Sequence, residues 1–457
     1  MRALSPSLQR SLLGLGLLLG PMVSGIAPTA SLARTWTVAL DGSGDFTHPQ
    51  PAIQACTNGD SVVVYPGHYV GRVSFAGKRI VLRSSAGPAT TTIDANGIGS
   101  VVTIAFGQTA ETVVDGFTLT GGAGTPFSIA PEGEPEFDSD GDADADAARI
   151  RSGEGNGGSG ESRATGNAGG DAPATAGGGG ETRGGALFLY EASPTVRNLL
   201  VRGNHANIGG GVWVWGGAPV IEDCVIRENF AGSGGGIAHE GGGGATWRRA
   251  RVEANQAATG GAARIYLAQG RFFDCHFEGN DASEGGALYI VESTETPLVS
   301  NCVFVRNRAG EGSAVSAQFG SLRMENSTLA YNGPRWGDIA TVLARNAGSY
   351  SVERTVFFRN IAATTIGCVN ATVSASCCLF WPEAPPACAL LEDAIHLPPG
   401  FCGRNDFRVT PRSFCLPQNS PHGCGRLGAD LGVCGTPSVD IAVDELPLDA
   451  APVEFSR

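Results

Sequence analysis

Between residues 184 and 360 the chain alternates apolar and polar positions over short runs, and the runs recur about every 25 residues. Each repeat opens on a Gly-rich step followed by a small residue and an apolar one: Gly185-Ala186-Leu187, Gly210-Gly211-Val212, Gly235-Gly236-Ile237, Gly261-Ala262-Ala263, Gly286-Ala287-Leu288 and Ser313-Ala314-Val315. The small residue advances in steps of 25, 25, 26, 25 and 27. A second landmark closes a strand in each repeat: Asn204, Asn229, Asn255, Asn280, Asn307, Asn332 and Asn360, in steps of 25, 26, 25, 27, 25 and 28. Two markers that share one period define stacked repeats.

The positions between the markers predict strands. Three before the Asn stand Val201, Ile226, Val252, Phe277, Phe304, Leu329 and Phe357. Five before it stand Leu199, Cys224, Ala250, Cys275, Cys302, Ser327 and Thr355. A separation of two puts both sets on one strand face, the inner one. Arg202, Arg227, Glu253 and Glu278, two before the Asn, mark the wet face. The prediction is an all-β protein, a single-stranded parallel β-helix whose coils lie about 4.8 Å apart, so that each Asn meets its copy in a hydrogen-bonded ladder. Leucine-rich repeats share the period and an Asn column, but they need Leu at several fixed places where this chain has Val, Ile, Phe and Cys.

Residues 35–122 read as less regular coils, with strands at Ser61–Tyr65, Arg79–Ser84, Val101–Phe106 and Val113–Thr120. Pro51–Cys56 reads as a short helix over the open N-terminal end, where bare core and an unpaired strand edge need a cap. The coils thus span 34–360. Residues 123–183 interrupt them with 15 Gly and 12 acidic residues against 4 Arg, the composition of a disordered surface insertion. Residues 361–435 are rich in Cys and Pro and read as a disulfide-stapled C-terminal cap, and 436–457 as an acidic, mobile tail.

Composition narrows the function classes. The whole chain has 68 Gly, only 16% charged residues and a net charge of −13. That balance argues against a nucleic-acid partner and against an anionic membrane surface. Arg2 and Arg10, an apolar stretch over 11–27, and the small residues Ser31 and Ala33 make residues 1–33 a secretory signal peptide. No later segment has the length and apolarity of a transmembrane helix, so the mature chain is expected outside the cytoplasm, in the periplasm, at the surface or released, as a monomer. Twelve cysteines suit an oxidising compartment. Eight lie between Cys368 and Cys434, and their spacing leaves the pairing open. Cys275 and Cys302 share an inner position in adjacent coils, as a disulfide or as two buried thiols.

The repeats resemble the right-handed parallel β-helix proteins of the pectate-lyase-like superfamily. Gly285–Tyr289 and Phe277–Asn280 are similar to polymorphic outer-membrane protein repeats, and Asp41–Thr47 with Ala52-Ile53-Gln54 to the opening of pectin methylesterases. The resemblance covers 35–122 and 184–360 and implies a right-handed helix and a polysaccharide-related role. It does not extend to activity: the paired Asp with nearby Arg of the methylesterases, the paired-Asp and His-Gly segments of polygalacturonases and the Arg-Pro-x-x-Arg of pectate lyases have no match here.

The candidate chemistry lies on one sheet. Two and four places after the small residue, the side chains are expected to face outward, giving an aromatic strip of Phe188, Tyr190, Trp213, Trp215, Tyr266 and Tyr289 with Glu240 and Arg264. Aromatic faces stack on sugar rings and Arg or Glu bonds their hydroxyls, so this strip is the expected glycan-binding face. The plainer reading is that a loop, such as 123–183, folds over it as a second core. His239 is expected inward and neutral; a bulge would instead pair it with Glu240 as acid and base. Asp274 and Asp223 share a position with Asn198, Asn301 and Asn326, which fits turns better than paired catalytic acids. Asp138, Asp140, Asp142, Asp144 and Asp146 offer oxygens to calcium, but Gly141 stands fourth rather than sixth and no Glu closes the loop, so this is a weak calcium site or a solvated acidic run. No other cofactor is expected. The resulting reading is a non-catalytic module that binds polysaccharide or cell-surface glycan, with a polysaccharide lyase, hydrolase or esterase and a structural surface protein as alternatives.

Overall fold

The computed structural model describes residues 32–129, 135–137, 181–293, 295–335, 340–346 and 349–435. The signal peptide (all but its last two residues), the Asp138–Asp146 run and the acidic tail fall outside them. Arg34–Arg457 form one unit, separate from Met1–Ala33.

Each coil contributes one strand to each of three parallel sheets. In the best-formed coil these are Leu187–Tyr190, Thr195–Arg197 and Leu200–Arg202. They belong to sheets of ten, thirteen and eleven strands respectively, and every neighbour in those sheets is the equivalent strand of an adjacent coil. The register follows the repeat: Leu187 pairs with Val212, Val212 with Ile237 and Ile237 with Ala263.

The inner positions are as the alternation predicts. Val201, Ile226, Val252, Phe277, Phe304, Leu329 and Phe357 are buried, as are the seven residues two places before them. Phe277 stacks on Phe304 with centroids 4.7 Å apart, and Phe357 on Phe380 at 5.1 Å. The asparagines form the expected ladder. Nδ2 of Asn229 donates to Oδ1 of Asn255 at 3.0 Å, that of Asn255 to Asn280 at 3.1 Å, and that of Asn280 to Asn307 at 2.9 Å. Each Oδ1 also accepts the backbone N–H of the preceding ladder residue. Buried amides are thereby satisfied by copies of themselves.

Glycine is required beside the ten-stranded sheet. Gly285 has φ +65, and a Cβ there would lie 2.5 Å from the Leu288 carbonyl oxygen. The corner between the other two sheets is also left-handed, at Asn198, Asp223, Asp274, Asn301 and Asn326. Asn and Asp tolerate that conformation best, so this column is turn chemistry.

The helix Pro49–Ala55 begins two residues and ends one residue earlier than expected, and buries Ala52 and Ile53 in the main core. Two boundaries differ from the sequence reading. First, the coils continue past Asn360, with Thr364–Val369, Thr372–Ser376, Leu379–Trp381 and Leu390–Glu392 extending the three sheets. The following segment then folds back along the outside of the eleven-stranded sheet. Phe407 packs with Val303, Val305 and Ala330, and the backbone N–H groups of Gly428 and Asp430 reach Arg354 and Asn301. The cause is the outer face itself, which is apolar in these last coils and needs covering. Second, Thr125–Ile129 and Thr182–Arg183, placed in the disordered insertion, are antiparallel strands, and Thr182–Arg183 also pairs with His205–Ile208.

The C-terminal region carries three disulfides, Cys368–Cys388, Cys377–Cys424 and Cys402–Cys434. Cys275 and Cys302 are free buried thiols, with the Cys275 N–H 3.4 Å from the Cys302 sulfur. Among the described residues no helix is long and apolar enough to cross a membrane.

Candidate ligand-binding face

The outer face of the ten-stranded sheet is built from two columns. Strand register stacks Phe188, Trp213, Ala238, Arg264, Tyr289 and Ser316 in one, and Tyr190, Trp215, Glu240, Tyr266, Val291, Gln318 and Arg345 in the other. A third column, three residues before each repeat's small residue, runs alongside: Arg183, Ile208, Ser233, Thr259, Glu284 and Glu311.

The first half of this face is closed, which corrects the expectation of a continuous exposed strip. Phe127 lies across it, with its ring centroid 5.9 Å from Phe188, 5.5 Å from Tyr190 and 5.0 Å from Trp213. Phe188, Tyr190 and Trp213 are buried in this second core and present no face to a sugar. The covering element comes from the edge of the 123–183 segment, the plainer of the two sequence readings.

Glu240 bolts the closed half to the open one. It is buried, it accepts the Trp213 indole N–H at 2.8 Å and an Arg264 N–H, and it lies 3.7 Å from Arg183 Nε. Arg183 in turn lies 5.2 Å over Phe127 and 5.7 Å over Trp213. A carboxylate surrounded by fixed donors holds structure and is poorly placed to exchange protons with a substrate.

His239 points into the core, as parity predicts. Burial drives its pKa down to about 4, with the Gly242 backbone opposing, so the ring is neutral near pH 7. Neither ring nitrogen makes a well-formed hydrogen bond. Asp274 lies at the corner between the other two sheets and accepts from Asn301 Nδ2 at 2.5 Å. The three acid–base candidates His239, Glu240 and Asp274 therefore do not converge: one faces the core, one is locked in a salt-bridge network and one serves a turn.

The open half begins at Trp215 and runs towards the C-terminal coils. Trp215, Arg264 and Tyr266 are half-buried, and Arg264 lies 4.7 Å over the Tyr266 ring. The indole of Trp215 rests on Gly241, where a Cβ would come within 2.4 Å of it. Tyr289 is nearly covered and donates its hydroxyl to Gln318 Oε1 at 3.1 Å.

Beyond them lies a cluster the sequence reading missed. Ser316 Oγ donates to Glu284 at 2.8 Å, and Arg345 spans Glu284 at 3.9 Å and Glu311 at 2.6 Å. Burial raises the Glu284 pKa and Glu311 raises it further, against Ser316 and Arg345. The signal lies in the third column, where the acids occupy one register position in consecutive repeats. The open half thus offers ring faces, amide and guanidinium donors, and one carboxyl held towards its neutral form.

Comparison with known proteins supports the fold and stops short of activity. Residues 181–357 match the family model described as "Right handed beta helix region". Among solved structures the chain is similar to a pectin methylesterase from carrot, at 12% identity and TM-score 0.31, covering 76% of this chain and 89% of that one. It is also similar to the pectate lyase Pel9A, at 11% identity and TM-score 0.36, covering 85% and 92%. No curated protein matches the chain. With strand order, repeat register and the matched region in agreement, the fold is a right-handed parallel β-helix.

Proposed function

We propose that the mature chain is exported and binds a polysaccharide or cell-surface glycan along the open half of the ten-stranded face, without transforming it. The observation that carries this reading is the placement of Trp215 and Tyr266 in one outward column, half-exposed, on either side of Glu240, with Arg264 over the Tyr266 ring. Aromatic faces two coils apart along one column suit stacking on sugar rings, and the flanking Arg264 suits hydroxyl recognition. Three disulfides fit an oxidising compartment and support export. The test is a glycan array probed with the wild type and with Trp215→Ala and Tyr266→Ala. Retention of a glycan by the wild type and its loss in both variants supports the reading; undiminished binding in both removes it.

A second reading is favoured by one observation, the raised pKa of Glu284 beside Glu311 and Arg345. A carboxyl pushed towards its neutral form beside a second carboxyl is the kind of pairing that glycoside cleavage uses. Release of reducing ends or unsaturated products from a polysaccharide panel, abolished by Glu284→Gln, would make the chain an enzyme.

A further inference from the structure

Where the C-terminal segment folds back, it leaves an open hollow of about 430 Å³ against the eleven-stranded sheet. Its walls are aromatic. Phe358 and Trp381 are neighbours in strand register, and Tyr331 lies just after the preceding strand. Phe401 comes from the folded-back segment and meets the Phe358 ring edge-on at 5.1 Å. All four are half-buried, so the cluster keeps apolar surface in water. Arg359 and Arg404 complete the lining, both exposed, and no acidic side chain contributes to it. Among the described residues neither guanidinium pairs with a carboxylate.

The described residues end beside this hollow. Val433 bridges to Val409, the Cys434 N–H donates to the Val409 carbonyl, and Cys434 is disulfide-bonded to Cys402, the residue after Phe401. Residues 436–457 therefore leave the fold next to the loop that carries Phe401 and Arg404. They hold five acids, Asp440, Asp444, Glu445, Asp449 and Glu454, against one Arg. Val439, Ile441 and Val443 alternate with Asp440, Ala442 and Asp444, the pattern of an extended segment with one apolar face. Apolar positions and acids thus match the aromatic walls and the two unpaired guanidinium groups in kind and in sign.

We propose that residues 438–445 of this same chain occupy the hollow. The apolar positions pack on the aromatic walls, and Asp440 and Asp444 pair with Arg359 and Arg404. Reach is sufficient: an extended chain advances about 3.3 Å per residue, so a handful of residues crosses the hollow from Cys434. Affinity need not be high, because a short tether gives a local concentration on the order of millimolar. The segment docks through side chains and not as an added strand, since the edge at Leu379–Trp381 already bridges to Ile395. The hollow is separate from the ten-stranded face, and this proposal is independent of any glycan bound there.

The experiment is hydroxyl-radical footprinting of Trp381 in the mature full-length chain and four variants. Two alter only the tail, Asp440→Lys/Asp444→Lys and Ile441→Asp/Val443→Asp. One alters only the hollow, Arg359→Glu/Arg404→Glu, and the last combines it with Asp440→Lys/Asp444→Lys. The proposal expects Trp381 oxidation to rise roughly threefold or more in the three one-sided variants, and to return to the wild-type rate in the combined charge swap. Trp215 oxidation should be the same in all five chains. The tail variants change no residue of the described fold, so they decide the question even if the hollow variant melts early. Wild-type Trp381 oxidation in both tail variants would leave the hollow open to an outside ligand and overturn the proposal. So would a charge swap that fails to restore protection with thermal melting unchanged. Protection that grows with protein concentration would assign the hollow to a second copy and overturn it equally.

Discussion

The backbone N–H of Asn360 donates to the side-chain carboxyl of Glu383, and with that contact the asparagine ladder ends on an acid. At the other end, the Gly122 N–H donates to Asn204 Oδ1. Between the two, seven side-chain amides are joined head to tail through the stack. The ladder is therefore closed at both ends by groups that do not belong to the repeat.

Interior rungs are expected to cost more than the terminal one. Asn280→Ala strands the Asn255 amide and backbone N–H and the Val252 carbonyl, each desolvated. A loss of about 2–4 kcal/mol is expected from unsatisfied buried polar groups. Glu383→Gln keeps an acceptor for Asn360 and should cost less than half as much. Urea denaturation of both variants at one pH measures the ordering.

Glu383 also sets a pH dependence. Burial raises its pKa against the Asn360 and Arg359 hydrogen bonds, and one carboxyl oxygen is buried without a partner. A carboxyl whose folded pKa lies above its unfolded one contributes stability that is full below the unfolded pKa and is lost as pH rises through the folded one. The gap between wild type and Glu383→Gln should therefore widen in favour of the wild type as pH falls from 7 to 4. A gap that is flat with pH would contradict this.

His239 acts in the opposite direction. Its folded pKa of about 4 lies below the usual imidazole value, so its contribution is full above the unfolded pKa and is lost as pH falls through the folded one. About 3 kcal/mol should disappear between pH 6.5 and 4, from the size of the shift. His239→Leu fills a similar volume without a titrating group, and its stability should be flatter over that range in denaturant titrations.

Phe127 is the covering residue of the closed half. Phe127→Ala opens a cavity over Phe188, Tyr190 and Trp213, and an aromatic-to-alanine change in a core costs about 3–5 kcal/mol. The tryptophan emission should shift red as Trp213 meets water. A variant with wild-type stability and emission would mean that the strip is open after all.

These residues show how far periodicity carries an interpretation. Asn280, Phe277, the inward His239 and the left-handed Asp274 were legible because stacked copies repeat the same environment every coil. Phe127 was not, since it belongs to no repeat and reaches Trp213 across a long stretch of chain. The same holds for Phe407 and Phe401, whose segment lies against coils formed far earlier in the sequence. Glu284 and Glu311 were legible in principle, because they share a register position. Their meaning depends on Arg345 and Ser316, and only the sheet brings those to them.

The most direct test of the functional account is hydroxyl-radical footprinting of the mature chain, with and without a saturating glycan identified on the array. The account predicts protection of Trp215 and Tyr266 on binding, with no change at the exposed Phe106. Unchanged oxidation of both Trp215 and Tyr266 under saturating glycan would contradict it.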